Sequence, residues 1–134
     1  ELLKTNWKEI CSGDVVKTPQ TGEATYTSLI KKEDMMLDFT DDGLKIFNKI
    51  KAFNYSYGTR STFRNNPLIV ERAEYVCECS GTPGEIITVS KEGITVCCAK
   101  GGIKITELKP AGKKSMKASD FINGYKPVSG ERFL

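Results

Sequence analysis

The chain has 134 residues, with 20 Lys plus Arg against 17 Asp plus Glu, five cysteines, no histidine and 39% apolar residues. That is one domain's length, in which roughly two-thirds of the unfolded surface can be buried, so one modest core forms without disulfides or metal. Lacking histidine, the sequence excludes Ser-His and Cys-His hydrolases and imidazole metal sites.

The apolar runs are short, and Lys4, Trp7, Lys8 and Glu9 stand near the start, so neither a membrane span nor a signal peptide is expected. Leu2, Leu3, Trp7 and Ile10 fall at helical spacing with Gly13 placed to stop them, which predicts the end of a helix over residues 1–12. From Asp14 to Thr27 the composition turns to Thr, Pro, Gln, Gly and Glu, a linker signature. Thr40, read as an N-cap residue ahead of Asp41 and Asp42, opens a helix running to about Phe53. Leu44, Phe47 and Ile50, joined by Ile46 and Phe53, give it a broad apolar face, with Lys45 and Lys49 on the wet side.

After Gly58 the period becomes alternating, with turns at Asn65-Asn66-Pro67, Gly81 to Gly84, Lys91-Glu92-Gly93 and Gly101-Gly102. Strands are predicted at Thr59 to Arg64, Leu68 to Cys77, Glu85 to Ser90, Ile94 to Ala99 and Ile103 to Leu108. Ile94, Val96 and Cys98 would share one face, as would Ile103 and Ile105, opposite Thr95, Cys97, Lys104 and Thr106. A meander of short antiparallel strands is most economically closed as a small β-barrel, which removes exposed edges. A short helix over Ser119 to Asn123, ended by Gly124, would flank it. The fold class is therefore mainly β, with one main helix before the barrel and a short one near the C-terminus.

Charge is unevenly distributed. Residues 1–42 carry a net −4 and residues 43–134 a net +7. Within residues 100–117, Lys100, Lys104, Lys109, Lys113, Lys114 and Lys117 face only Glu107, which points to a polyanionic partner or to a solvated lysine-rich surface. The turn Pro110-Ala111-Gly112-Lys113-Lys114 sets two ammonium groups directly after a strand, but it lacks the glycine spacing of a P-loop. Such lysines would act as point charges on backbone phosphate, without base specificity. Tyr75 is the sole aromatic in the strands from Leu68 onward, which argues against a base-stacking platform and for a folded or duplex RNA backbone.

Paired acids offer no catalytic site. Asp34 with Asp38, and Asp41 with Asp42, read as solvated and capping residues. Cys11, Cys77, Cys79, Cys97 and Cys98 are odd in number and lack C-x-x-C spacing, which suits reduced thiols in a cytoplasmic protein better than a disulfide framework or a zinc ribbon. Cys77 and Cys79 would share one strand face, while Cys97 and Cys98 would lie on opposite ones.

Several motifs then follow in series: Gln20-x-Gly22-x-Ala24-Thr25-Tyr26, Ile30-Lys31-Lys32-Glu33-Asp34, Leu37-Asp38-Phe39, and Lys51-Ala52-Phe53-Asn54-x-x-x-Gly58. Gly84-Glu85-Ile86, Gly93-Ile94, Leu108-x-x-Ala111-Gly112-Lys113-Lys114-x-Met116 and Asp120-Phe121-x-Asn123-Gly124 complete the order. From Gln20 to Phe133 this resembles the C-terminal part of methionyl-tRNA formyltransferases. The chain departs from the usual pattern at Lys51 to Gly58, where two prolines are missing, at Phe39 in place of Trp, and at Lys109-Pro110 in place of Gln.

The resemblance implies three segments: residues 1–16 as the tail of an N-terminal formyltransferase domain, 17–38 as linker, and 39–134 as an OB-like barrel. It also implies a parent enzyme that moves a formyl group from 10-formyltetrahydrofolate to the amino group of methionine on initiator tRNA. The catalytic Asn, His and Asp and the folate site would belong to the N-terminal domain, leaving this part without catalysis or cofactor of its own. Its partners would be initiator Met-tRNA, through the basic surface, and the catalytic domain in cis, in a cytoplasmic monomer. For phosphate contact the candidates are Lys100, Lys104, Lys109, Lys113, Lys114 and Lys117, with Lys45, Lys49 and Lys51 behind them. The alternative is a purely structural C-domain of a related folate-dependent enzyme, with no RNA role.

Overall fold

The computed structural model describes every residue except Asp14, Val15, Lys17, Gln20, Tyr55 and Ser56; the linker motif beginning at Gln20 and the Lys51–Gly58 motif therefore lie partly outside the described residues. Helix α1 spans Leu2–Ser12 and stops at Gly13 in the left-handed conformation (φ 79). Leu3, Trp7 and Ile10 on it are 65%, 57% and 46% exposed, so its apolar stripe has no cover.

The core begins at a short 3₁₀ turn, Glu33–Met35, where Met35 is buried, followed by buried Leu37 and Phe39. Helix α2 covers Gly43–Phe53. Its N-cap is Asp42, whose carboxylate accepts from the Leu44 N–H at 2.8 Å, rather than Thr40. The Thr40 hydroxyl is already committed to Asp38, 2.6 Å away. The buried face of α2 centres on Ile46 and Ile50, four apart, while Leu44 is 48% exposed and Phe47 only half-buried. The helix start presses so closely on the sheet that a Cβ at Gly43 would lie 3.1 Å from backbone atoms of Gly102 and Lys100.

The sheet comprises β1 (Thr59–Phe63), β2 (Asn66–Val76), β3 (Ile86–Ser90), β4 (Gly93–Cys97), β5 (Gly102–Pro110) and β6 (Met116–Lys117). Its order is β1-β2-β5-β4-β3, with β6 added beside β5, and all pairings are antiparallel. Ile94, Val96, Ile103 and Ile105 are fully buried, as alternation requires, and Leu108, out of phase with them, reaches the same side through the register shift between the Ala73–Ile105 and Arg72–Glu107 pairs. Cys97, placed by alternation on the outer face, is nevertheless buried, because the loop carrying Cys79 and Gly81 packs over it.

The sheet does not close on itself: β3 and β1 are not paired as strands. Instead the last residues cross the gap. The Ile86 N–H donates to the Glu131 carbonyl (2.8 Å) and the Phe133 N–H to that of Gly84 (2.9 Å), while Thr62 and Leu134 exchange two backbone bonds of 2.7 and 3.0 Å. Edge groups are thus covered by a strap rather than by a sixth full ladder. Gly84 (φ 85) admits it, since a Cβ there would sit 2.5 Å from the Phe133 carbonyl oxygen. Phe133 is buried and stacks on Phe63 (centroids 5.0 Å apart), which meets Phe121 edge-on at 5.7 Å.

Helix α3 runs Ala118–Tyr125, longer than the predicted turn. Gly124 lies inside it, and Lys126 (φ 47) terminates it by donating its N–H to the Ile122 carbonyl. Arg64 pins this end: its guanidinium bonds Glu131 at 2.6 and 2.8 Å and the Tyr125 carbonyl at 2.9 Å. Overall this is a mainly β, OB-like domain in which one antiparallel sheet wraps a single core. Among the described residues, no helix is long and apolar enough to cross a membrane.

Candidate nucleic-acid interface

The nine candidate lysines do not form one patch. Lys45 on α2 is spent on Asp41, its i−4 neighbour, at 2.7 Å, and that bond holds its proton above the ordinary value. Lys49 reaches back to the Met36 carbonyl at 2.6 Å. Lys104, in the middle of β5, bonds Glu74 on β2 at 2.7 Å and lies 3.8 Å from Glu92. Its pKa is raised chiefly by the Glu74 bond, but the two carboxylates offset its field. Lys51 sits 5.3 Å from the centroid of the Phe47 ring. Lys100 is exposed beyond β4, at the far end of β5, where its carbonyl accepts from the Gly43 N–H.

The remaining four gather at the other end of β5. Lys109 is exposed, and buried Pro110 then turns the chain. The Lys113 N–H closes the turn on the Pro110 carbonyl at 3.0 Å, and the Ala111 N–H ties it to the Pro67 carbonyl on β2 at 3.0 Å. Gly112 (φ 72) supplies the left-handed residue. Lys113 and Lys114 on this turn are exposed, and Lys117 follows on β6. The side chains of Lys109, Lys113, Lys114 and Lys117 have no partner among the described residues. Glu107, opposite Lys117, is engaged by Arg72 at 3.2 Å, and Glu71 accepts from the Ser115 hydroxyl. Local carboxylates are therefore already occupied.

Sequence spacing did not show that Arg60 belongs here. In the β1–β2 register Arg60 faces Ile69, and in the β2–β5 register Ile69 faces Lys109, so the three form one row across the sheet. Directly paired residues share a sheet face, which sets a guanidinium and an ammonium on either side of an isoleucine. Arg60 is exposed and likewise has no side-chain partner among the described residues. Its signal was present only as one cation inside a strand.

Among the described residues, two clefts adjoin cations of the sheet. One, of about 490 Å³, lies between α2 and β2 and sets Lys51 and Arg72 beside Glu71 and Glu74. The other, of about 340 Å³, lies over the Arg60–Ile69–Lys109 row and is floored by Pro67, Pro110 and Ala111. Aromatic rings are not displayed there: Phe63, Phe121 and Phe133 are buried, with Tyr125 stacked on Phe121 at 4.3 Å. No group of three or more Cys, Asp or Glu suited to a metal occurs among the described residues.

The thiols are structural in environment. Cys97 and Cys98 are buried, and burial pushes the Cys98 thiol up to about 12. Cys79 is likewise pushed up to about 12, first by desolvation and then by its contact with Cys97. Cys77 and Cys79 lie beyond the end of β2, and Cys77 is exposed, so they do not share a strand face as alternation implied.

The structure is thus a small OB-like sheet with an apolar core and one basic end. The chain belongs to the family of formyl transferase C-terminal domains, whose model matches residues 29–126. It is 39% identical to a methionyl-tRNA formyltransferase of Carboxydothermus hydrogenoformans over 99% of this chain and 44% of that protein. To the enzyme of the same name from Neisseria gonorrhoeae it is 34% identical, over 89% of this chain and 38% of that protein. It therefore spans less than half the length of these relatives. Among solved structures, HypX from Aquifex aeolicus shares the fold, with a TM-score of 0.65 at 20% identity over 96% of this chain and 23% of that one.

Proposed function

We propose that this chain is the RNA-docking C-terminal domain of a methionyl-tRNA formyltransferase. The parent enzyme would transfer the formyl group of 10-formyltetrahydrofolate to the α-amino group of methionine on initiator tRNA, supplying the formylated initiator for translation in the cytoplasm. The single observation carrying the docking role is the cluster of unpartnered cations at one end of the sheet, Lys109, Lys113, Lys114 and Lys117 with Arg60. Ammonium groups in solvent beside a duplex backbone release counterions and give affinity and steering without reading bases.

The folate co-substrate does not fit either cleft here. The larger is lined by Glu71 and Glu74, which would oppose an anionic glutamate tail, and the smaller offers no side-chain carboxylate or amide to bond the edge of a pterin. The lining of these two clefts supports the reading in which formyl transfer belongs to the rest of the parent and this chain by itself is without activity.

A second reading, a packing domain with no RNA role, is favoured by the uncovered Leu3, Trp7 and Ile10 stripe on α1. Titrating the chain with initiator tRNA across a salt series, with heparin as competitor, separates the two. Binding that weakens steeply with salt and is competed by heparin supports docking. No binding at low salt overturns it in favour of packing.

A further inference from the structure

We propose that the cleft over the Arg60–Ile69–Lys109 row is a subsite for one unpaired nucleotide, with the Arg60 guanidinium lying on the base and Lys109 on its phosphate. This rests on the docking reading above and adds to it a discrimination that lysines on phosphates do not provide. The register is the starting point: Arg60, Ile69 and Lys109 are consecutive partners across β1, β2 and β5. Strands lie about 4.8 Å apart, so the two cations flank a slot roughly 10 Å across at the backbone. Its floor is aliphatic, from Pro67, Ile69, Pro110 and Ala111, and no acid lines it among the described residues. At about 340 Å³ it falls at the lower end of ligand-sized cavities.

The alternative cleft beside α2 lacks this chemistry, since Glu71 and Glu74 would repel a phosphate there. Charge complementarity therefore selects the smaller one. Single-stranded RNA is usually read by stacking splayed bases on aromatic rings or on arginine planes. No aromatic ring is among the residues lining this cleft, which leaves arginine as its flat group. Arg60 is the guanidinium so placed, and it is not held by a carboxylate, whereas Arg64 and Arg72 are tied to Glu131 and Glu107. The turn immediately beyond, with Lys113 and Lys114, lies where the neighbouring phosphates of the same strand would pass.

The test compares a short single-stranded RNA with a duplex of equal phosphate count, by fluorescence anisotropy at low salt, for the 134-residue chain and for Arg60→Lys. Lysine keeps the charge but not the plane. The native chain is expected to prefer the single strand, and Arg60→Lys to lose about fivefold or more of that preference, while duplex affinity and salt slope stay as they were. Ala111→Glu, which puts a carboxylate on the floor, should weaken single-strand binding more than duplex binding. Equal affinity of the native chain for both RNAs, a duplex preference, or an unchanged preference in Arg60→Lys overturns the subsite and leaves docking standing. Binding of neither RNA removes the docking reading itself.

Discussion

Reversing two charges on the turn, Lys113→Glu with Lys114→Glu, reads the interface directly. Both side chains are exposed and unpartnered among the described residues, and the turn's own bonds are made by the backbones of Ala111 and Lys113, so the fold should be untouched. Against a duplex stem, five cations with no side-chain partner among the described residues, Arg60, Lys109, Lys113, Lys114 and Lys117, are available to phosphates. At about 0.9 released counterions per duplex phosphate, the slope of log affinity on log salt is about −4.5, an affinity loss of roughly 500-fold between about 50 and 200 mM salt. Removing two contacts brings the slope to about −2.7 and that loss to roughly 40-fold. Anisotropy of labelled initiator tRNA gives the slopes, and near-ultraviolet circular dichroism checks that packing is intact. Lys45→Gln is the control: its ammonium is already bonded to Asp41, so its removal should leave the slope unchanged. An unchanged slope in the double variant, or a fall as large in Lys45→Gln, refutes the assignment of phosphate contact to the unpaired end of β5.

Phe133→Ala should destabilise the domain by about 3–5 kcal/mol, measured by denaturant midpoint, because it empties a buried site against Phe63 and Phe39 and loosens the strap; a loss under 1 kcal/mol, on the order of an exposed substitution, would contradict the strap's role in closing the core. The Glu131 carboxyl is held below its ordinary value of 4.5 first by the Arg64 guanidinium and next by the Val128 N–H. The folded state therefore binds fewer protons than the unfolded one; the stabilisation is complete above about pH 4.5 and is lost as pH falls through the lower folded value. Glu131→Gln should flatten that acid limb of the stability profile, and an unchanged limb would show that other groups control it. In alkylation followed by mass spectrometry near neutral pH, Cys11 and Cys77 should react first and Cys79, Cys97 and Cys98 slowly, since the latter are shielded and the Cys79 and Cys98 thiols are pushed up to about 12; early labelling of Cys98 would mean that the sheet opens far more readily than its packing implies.

Much of the fold was readable because local signals agreed with one another. Alternation between glycine turns located β1 to β5 to within about two residues, the usual slack at element ends. The differences arose where a local signal met a tertiary competitor. Thr40 looks like a cap, but its hydroxyl finds Asp38 first and Asp42 caps α2 instead. Gly124 looks like a helix stop, but the bonds from Arg64 to the Tyr125 carbonyl and onward to Glu131 carry α3 one residue past it. The closed barrel expected from the meander is not formed; the gap between β1 and β3 is bridged by a strap, Glu131 to Leu134, too short and aperiodic to announce itself as a strand.

The candidate interface was less legible, because a lysine count does not reveal how many lysines are free. Residues 100–117 read as one basic run, yet β5 carries that run along its length, so Lys100 and Lys109 end up at opposite ends of the strand. Pairing then sorts the rest. A lysine whose cross-strand neighbour is Glu74 becomes part of the sheet's own electrostatics, whereas a lysine whose neighbour is Ile69 remains available. The same rule brings in Arg60, which lies 49 positions from Lys109 in the chain and two strands away from it across Ile69. Cross-strand identity, together with whether a facing carboxylate is already bonded elsewhere as Glu107 opposite Lys117 is by Arg72, decides whether a surface charge is offset; it is fixed by register, and register is what composition leaves out.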